Sequence, residues 1–193
     1  MNLPDADVRL YMGFLPPSSA DRLLRELLET TDWRQESFRL YGKDIQFPRL
    51  TAWYGDEGAG YVYSGIKNAP LPWTSTILEV KRAVEPACAV VFNSVLLNRY
   101  RTGRDSVSWH ADDEPEFGEQ PVIASVSFGG TRTFQFKHKT RKELKASVEL
   151  IHGSLLIMRG GTQTNWLHQI PKIAKPVEER LNLTFRVVVA PAK

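Results

Sequence analysis

The second half of the chain is dominated by short segments rich in β-branched and aromatic residues, and this feature limits the choice of fold most. Turn residues separate six such segments: Val90–Tyr100, Val122–Phe128, Thr131–Lys137, Val148–Ile151, Leu155–Arg159 and Leu181–Val189. Their composition predicts β-strands. Gly129-Gly130 predicts a hairpin turn between two of them, and His152-Gly153 predicts a tighter one. Many short strands of this kind favour two sheets packed face to face, as in a jelly roll.

The first half of the chain contains two segments with helical periodicity. One covers Ser18–Thr31, and the other runs from Thr74 to about Glu85, where Pro86 is expected to end it. Between them, residues 33–67 are aromatic and basic without a helical period, so we expect strands and loops there.

These patterns together predict a mostly β fold with flanking helices around a double-stranded β-helix, or jelly-roll, core. No repeat or linker divides the chain, and its 193 residues suit a single domain. Within residues 1–193 we expect N-terminal helices and a recognition segment over about 1–88, and the core over about 89–193.

Composition excludes several classes of protein. No apolar run in the sequence approaches the roughly 18 residues needed to span a membrane. Met1–Arg9 is too polar for a secretory signal, so a cytoplasmic location is expected. The single cysteine, Cys88, excludes an intramolecular disulfide. A net charge of +3 and a pI of about 9.0 are consistent with a polyanionic partner.

The histidines and acidic residues suggest a metal site. On a strand, residues i and i+2 point to the same side, so His110 and Asp112 could bind one ion together. Two imidazoles and one carboxylate form a facial triad, which holds Fe(II) and leaves coordination positions open. His168 is the preferred third ligand because of the segment that follows it. His138 lies in a basic turn and His152 at a strand turn, so both are poorer candidates.

The segment that follows is Arg180–Arg186, in which polar and apolar residues alternate. Period-two alternation puts four polar side chains on one face of a strand: Arg180, Asn182, Thr184 and Arg186. Arginine binds a carboxylate through two hydrogen bonds, so this face suits a dicarboxylate. An edge strand with its arginines in water is the alternative for the segment alone. With the triad, the segment indicates an oxygen-activating iron enzyme that uses 2-oxoglutarate.

The order of these motifs resembles the AlkB family of Fe(II)/2-oxoglutarate-dependent dioxygenases, which reverse alkylation damage on nucleobases. The resemblance covers roughly residues 39–188 and is closer to the animal DNA-repair branch than to the founding bacterial enzyme. Its strongest motifs are Asn98-Arg99-Tyr100, His110-Ala111-Asp112, His168 and Arg180–Arg186. Further matches are Pro48-Arg49, Tyr54-Gly55-Asp56, Tyr61-Val62-Tyr63-Ser64-Gly65 and Ser125-Val126-Ser127-Phe128-Gly129.

The resemblance implies roles for individual residues. The Fe(II) ligands would be His110, Asp112 and His168. The 2-oxoglutarate site would comprise Asn98, Tyr100, Arg180, Asn182, Thr184 and Arg186, with the carboxylate that each arginine binds left open. Contacts to nucleic acid would come from Tyr41, Arg49, Tyr61, Tyr63, Asp113 and Glu114.

Within that last group the implied roles differ. Tyr63 would stack on a flipped base, and Asp113 with Glu114 would sense an exocyclic amine. Tyr41 takes the place of an apolar aromatic wedge found in duplex-preferring relatives. Because tyrosine carries a hydroxyl, the preference between double and single strands is left open.

The implied activity is oxidative dealkylation of N-alkylated nucleobases, of the 1-methyladenine and 3-methylcytosine type, in DNA, with RNA left open. Fe(II), 2-oxoglutarate and O2 would be required, and aldehyde, succinate and CO2 would be released by a monomer that needs no membrane. One alternative is a 2-oxoglutarate dioxygenase acting on a protein side chain or small molecule, against which Tyr61, Tyr63 and the basic pI argue. The other is a non-catalytic jelly-roll binding module holding zinc, which the complete ligand set disfavours.

Overall fold

The structure is a computed structural model that describes residues 1–40, 42–59, 61–63 and 66–189, with side chains throughout except at 38, 40, 61–63 and 66–68. Its helices within these ranges are α1 (Pro17–Thr30), α2 (Ser75–Cys88) and α3 (Thr162–Asn165), with a 3-10 turn at Pro115–Phe117. Its strands are β1 (Asp7–Tyr11), β2 (Ser37–Leu40), β3 (Lys43–Gln46), β4 (Leu50–Gly55), β5 (Tyr61–Tyr63), β6 (Ile66–Asn68), β7 (Ser94–Tyr100), β8 (Val107–His110), β9 (Ile123–Gly129), β10 (Arg132–His138), β11 (Lys145–Leu150), β12 (Ser154–Arg159), β13 (Trp166–Ile170) and β14 (Arg180–Arg186).

The strands form two main antiparallel sheets. The larger sheet has the order β1-β12-β9-β14-β7-β4, and the smaller has the order β11-β10-β13-β8. From β7 onward successive strands alternate between the two sheets, except at the β10–β11 hairpin. This alternation is the double-sheet arrangement of a jelly roll and confirms the predicted fold. The pairs β2–β3 and β5–β6 are separate hairpins in the segment predicted to hold strands and loops.

The two predicted glycine turns lie where expected but do not close hairpins. The Gly129-Gly130 turn carries the chain from β9 in the larger sheet to β10 in the smaller, and the His152-Gly153 turn carries it back from β11 to β12. A Cβ atom at residue 130 would lie 2.3 Å from the backbone oxygen of Glu178, so that position requires glycine. Hairpin prediction failed here because local turn residues do not reveal which strands will pair.

Both predicted long helices are present, with one correction at the end of α2. The helix does not stop before Pro86 but continues to Cys88, and Ala89 ends it in a left-handed conformation with φ of 55°. Because proline has no N–H donor, Pro86 removes one helical hydrogen bond, the one to the carbonyl of residue 82. Val84 and Cys88 are both buried on the same stripe, and their packing keeps the last turn helical.

Three strands, β1, β8 and β13, lie outside the segments predicted to be strands. Each contains only four or five residues. Alternation over so short a run does not distinguish a strand from a loop. The omission matters because β8 and β13 carry two of the predicted metal ligands, His110 and His168.

The larger sheet separates two apolar cores. On one side α1 and α2 pack against side chains such as Leu183 and Phe185 of β14. On the other side, Phe134, Phe136 and Trp166 of the smaller sheet pack towards the larger. The polar face of β14 therefore lies between the two sheets, beside the second core.

Among the described residues, no helix is long and apolar enough to cross a membrane.

Candidate active site

The three predicted metal ligands meet between the sheets. His110 ends β8, and it pairs across the smaller sheet with His168 of β13. The candidate ligand atoms of these two residues and of Asp112 all lie within 4.8 Å of one another. Ring centroids of the two histidines are 4.3 Å apart. The structure thus brings together three side chains that sequence reasoning had grouped.

Asp112 reaches this cluster in a different way from the one predicted. Because β8 ends at His110, Asp112 lies beyond the strand, and the alternation of strand residues does not orient it. Instead, Arg186 Nη2 donates to Asp112 Oδ1 at 2.9 Å, and the backbone N–H of Asp112 donates to Gln163 Oε1 at 2.9 Å. Two tertiary hydrogen bonds therefore hold Asp112, one at its carboxylate and one at its backbone N–H.

His168 is buried and His110 is half-buried, and both are neutral imidazoles near neutral pH. Desolvation lowers the pKa of His168 to about 3 and also lowers the pKa of His110. His110 Nδ1 lies 2.8 Å from the Ser108 carbonyl, which can only accept, so Nδ1 carries the proton and Nε2 is left for a metal. His168 stacks on Phe134 with ring centroids 5.1 Å apart. Neutral imidazole is the form that binds metal ions.

Asp112 supplies the anionic member of the set. Its burial alone would raise its pKa, but the positive charge of Arg186 outweighs this effect and lowers the pKa to about 2. The donor set is then two neutral nitrogens and one carboxylate on one side of a cavity. That set fits Fe(II) in a facial triad and differs from the cysteine-containing sets typical of structural zinc.

The polar face of β14 forms the neighbouring wall of the cavity. Arg180 is 1% exposed and Arg186 is 6% exposed, which excludes a water-facing edge strand. Asn182 Oδ1 accepts from Arg180 Nη2 and from Ser125 Oγ, both at 2.8 Å, while Asn182 Nδ2 donates to Thr184 Oγ1 at 2.6 Å. All four predicted polar residues of the strand thus face one buried cavity.

Arg180 has hydrogen-bonding capacity to spare. Its Nη2 atom donates to Ser127 Oγ at 2.9 Å, whereas among the described residues its Nε and Nη1 atoms have no partner of acceptable hydrogen-bond geometry. The Tyr100 ring centroid lies 5.2 Å from the guanidinium carbon. Burial lowers the pKa of Arg180 to about 10, with Tyr100 opposing the shift, so the group stays cationic near neutrality. A buried cation with free donors suits a carboxylate ligand.

Arg49 lies in the cavity wall rather than on the surface. It is 4% exposed, and its Nε atom donates to Asn98 Oδ1 at 2.6 Å. This bond therefore joins Arg49, which is predicted to contact nucleic acid, to Asn98, which is predicted to bind 2-oxoglutarate. The contact of Arg49 with nucleic acid stays a prediction.

The other predicted substrate residues lie in different surroundings. Glu114 is half-buried and lines the same cavity, and burial is the main cause of its raised pKa. Asp113 is exposed and accepts from Lys139 Nζ at 2.7 Å. Tyr41 and the side chains of Tyr61 and Tyr63 lie outside the described residues. Their predicted roles stay predictions.

Sequence reasoning missed three buried residues of the site, namely Ser125, Ser127 and Gln163. The two serines alternate with apolar residues on β9, next to β14, and support Asn182 and Arg180. The alternation of these serines with apolar residues in the predicted strand Val122–Phe128 could have indicated them. For Gln163 the sequence contains no comparable signal.

The two histidines that ranked lower lie away from the triad. His138 Nδ1 accepts from the backbone N–H groups of Thr140 and Arg141 at 3.2 and 3.1 Å, which stabilises the β10–β11 turn. His152 Nδ1 accepts from the backbone N–H of Gly129 at 2.8 Å. Both rings therefore support turns between strands.

The jelly roll, the His-Asp-His cluster and the arginine-bearing strand together define an iron- and 2-oxo-acid-dependent oxygenase. Residues 7–186 match the profile of the 2OG-Fe(II) oxygenase superfamily. The human alpha-ketoglutarate-dependent dioxygenase alkB homolog 3 is 43% identical over 190 residues, covering 94% of this chain and 66% of the relative. The human DNA oxidative demethylase ALKBH2 is 36% identical over 193 residues, covering 95% of this chain and 74% of the relative. The chain therefore belongs to the AlkB family within the 2OG-Fe(II) oxygenase superfamily.

One solved structure bears on the fold, and the lengths of the relatives show how much of each this chain matches. The solved structure of OsALKBH1 superimposes with a TM-score of 0.69 at 19% identity, covering 93% of this chain and 97% of that one, which supports the fold. The chain spans about two thirds of the length of the alkB homolog 3 relatives, from 64% to 66%. Family membership implies Fe(II), 2-oxoglutarate and O2, which confirms the predicted cofactors.

Proposed function

We propose that the protein removes N-alkyl groups from nucleobases in DNA by Fe(II)- and 2-oxoglutarate-dependent oxidation, releasing aldehyde, succinate and CO2. The observation that carries this proposal is the hydrogen bond between Arg186 and Asp112, which joins the triad to the doubly cationic face of β14. A metal and a dicarboxylate bound in this one cavity would be neighbours. The relatives named DNA oxidative demethylase support DNA as the substrate, and those named alpha-ketoglutarate-dependent dioxygenase support the cosubstrate.

In this proposal His110, Asp112 and His168 hold Fe(II). When bound, Fe(II) with 2-oxoglutarate and O2 supplies an oxidant that hydroxylates an N-alkyl carbon, after which the hydroxylated group leaves as an aldehyde. The protein's own contribution is to hold the ligands in neutral and anionic form, orient the cosubstrate and exclude competing reactions. Burial of the triad between the sheets serves each of these tasks.

The two arginines take opposite ends of 2-oxoglutarate. Arg186 contacts the candidate ligand Asp112, so it lies at the metal end and suits the carboxylate next to the keto group. Arg180 lies six residues away on the same face of the strand, lines the same cavity, and suits the far carboxylate. Tyr100, against the Arg180 guanidinium, belongs to that far end.

The substrate base must leave the helix to reach this cavity, because a methyl group on a pairing edge is inaccessible within a base stack. A lesion that already blocks pairing costs less to flip, which favours lesions of the 1-methyladenine and 3-methylcytosine type. Glu114 lines the cavity, which supports its predicted contact with a base, whereas the neighbouring Asp113 is exposed. Action on RNA, a monomeric state and a cytoplasmic location stay predictions from the sequence.

The test is incubation with Fe(II), 2-oxoglutarate and an oligonucleotide containing 1-methyladenine or 3-methylcytosine, as DNA and as RNA. Mass spectrometry should show restored bases, with one succinate formed for each. His168→Ala should abolish both products, whereas His152→Ala and His138→Ala should retain them. Succinate formation that no alkylated oligonucleotide increases would contradict the proposed substrate class, and activity lost in His152→Ala but kept in His168→Ala would contradict the ligand assignment.

A further inference from the structure

Gln163 is a buried residue near the triad whose side chain touches none of the three candidate ligand atoms. We infer that Gln163 is a positioning residue that holds Asp112 in the geometry required for metal binding, an inference that rests on the proposed function. Its Oε1 atom accepts the backbone N–H of Asp112 at 2.9 Å. The bond acts on the main chain of a ligand that no strand supports.

Asp112 depends on such a contact because it follows the end of β8. The preceding ligand, His110, is fixed by strand pairing with His168, but that pairing does not extend to residue 112. Arg186 Nη2 holds the carboxylate oxygen, and Gln163 holds the backbone at the other end of the same residue. Together the two bonds restrain both ends of the Asp112 side chain.

The surroundings of Gln163 direct its oxygen towards Asp112. The side chain is 1% exposed, so water does not compete for its amide. Its Nε2 atom lies 3.6 Å from Met158 Sδ, a weak acceptor that receives the N–H side of the amide. The amide is therefore oriented with its only oxygen facing the Asp112 N–H.

The helix that carries Gln163 is itself anchored. Thr162 Oγ1 donates to the backbone oxygen of Arg159 at 2.6 Å and accepts from the backbone N–H of Asp7 at 3.1 Å. α3 then runs directly into β13, which carries His168 five residues after Gln163. One short segment thus supplies one ligand and supports another from a remote part of the chain.

A hydrogen-bonding partner of a metal ligand usually contributes to metal affinity even though it does not touch the metal. Loss of such a partner lowers affinity by about 10- to 100-fold. We expect that range for Gln163→Met, which keeps the length of the side chain but removes the acceptor oxygen. Gln163→Asn keeps the amide on a shorter side chain that cannot reach Asp112, and it should have the same effect.

The experiment is a titration of the metal-free protein with Co(II), followed by visible absorption, in wild type and both Gln163 variants. Gln169→Met is the matched control, because Gln169 lies on β13 and donates to Gln135 Oε1 at 2.7 Å without contacting Asp112. Wild type and the control should bind Co(II) equally with the same spectrum. The Gln163 variants should bind about 10- to 100-fold more weakly with an altered spectrum, while their metal-free melting temperatures stay near that of the control.

The outcomes separate the inference from the proposed function. Failure of the wild type to bind Co(II) would contradict the proposed metal site itself. Tight wild-type binding that is unchanged in a folded Gln163 variant would overturn the positioning role alone. If both variants fail to fold, hydrogen exchange at the Asp112 amide of the wild type decides. Protection supports the bond to Gln163, and exchange at the rate of an open loop overturns it.

Discussion

At the residue scale, the unusual feature of the molecule is the concentration of buried cations around one cavity. Three guanidinium groups line it, those of Arg49, Arg180 and Arg186, and each is at most 6% exposed. Among the described residues only Arg186 has a carboxylate within ion-pair distance, Asp112. Buried charges are normally paired. The excess of positive charge therefore favours an anionic ligand such as 2-oxoglutarate.

Replacing each arginine of β14 by lysine should separate the two ends of the cosubstrate site. Arg180→Lys should weaken 2-oxoglutarate binding by about 10- to 100-fold, the cost of losing charged hydrogen bonds, and leave Co(II) affinity unchanged. Arg186→Lys should weaken both, because it also removes the bond to Asp112. Calorimetric titration with 2-oxoglutarate in the presence of Mn(II), beside Co(II) titration, measures the difference.

Arg99→Lys provides the control for these substitutions. Arg99 lies on the neighbouring strand β7 and pairs with Glu179 at 2.7 Å, so its loss should change neither affinity. Equal losses of Co(II) affinity in Arg180→Lys and Arg186→Lys would contradict the assignment of the two ends. Unchanged 2-oxoglutarate affinity in both would remove these arginines from the cosubstrate site.

At the scale of elements, β14 has two faces with separate functions. Leu181, Leu183 and Phe185 pack beneath α1 and α2, while the polar side chains face the smaller sheet. The strand lies between β9 and β7 in the centre of the larger sheet, so both faces are buried. Stability and ligand binding are therefore assigned to alternate residues of one strand.

Leu183→Ala should lower stability without changing the site. Leu183 is fully buried, and truncation of such a side chain typically costs about 2–5 kcal/mol. Chemical denaturation should show this loss, while the folded variant should bind 2-oxoglutarate with wild-type affinity. Leu144→Ala, at a half-buried position before β11, should cost less. A large loss of 2-oxoglutarate affinity in folded Leu183→Ala would show that the two faces are not independent.

At the scale of the whole molecule, two sheets enclose the chemistry, and part of the predicted nucleic-acid recognition lies in another segment of the chain. The jelly-roll strands place the triad and the cosubstrate residues between the sheets. The recognition segment predicted from the resemblance lies between α1 and α2 and includes Tyr41 and Tyr63. Base recognition and oxidation should therefore be separable by mutation.

Tyr63→Ala and Tyr41→Ala should affect repair in different ways. Stacking of a base on an aromatic ring is worth about 1–3 kcal/mol, so loss of the Tyr63 ring should impair repair of single and double strands alike. If Tyr41 fills the vacated stack, Tyr41→Ala should harm duplex repair and largely spare single strands. The measurement is repair of one methylated oligonucleotide, alone and annealed, in each variant.

Uncoupled conversion of 2-oxoglutarate to succinate serves as the control, because it should survive in both variants. Equal losses on the two substrates for Tyr41→Ala would contradict the wedge. Full repair by Tyr63→Ala would contradict the predicted stacking of the Tyr63 ring on the flipped base.

Local patterns in the sequence determined several features of this protein. Residue type and alternation indicated most strands of the core and both faces of Arg180–Arg186, and spacing indicated α1 and most of α2. Side-chain chemistry and spacing paired His110 with Asp112, and the Arg180–Arg186 segment that follows selected His168 as the third member. These features depend on side chains close together in the chain or on chemical type, and both can be read without a fold.

Only the tertiary structure decided how the parts are joined. It showed that the turns at Gly129 and His152 connect two sheets, that Asp112 is held beyond the end of the strand by Gln163 and Arg186, and that Arg186 is the arginine of β14 that contacts Asp112. Each of these facts is a contact between segments far apart in sequence. Such contacts depend on how whole sheets pack, and the periodicity of a single segment contains no information about its partner.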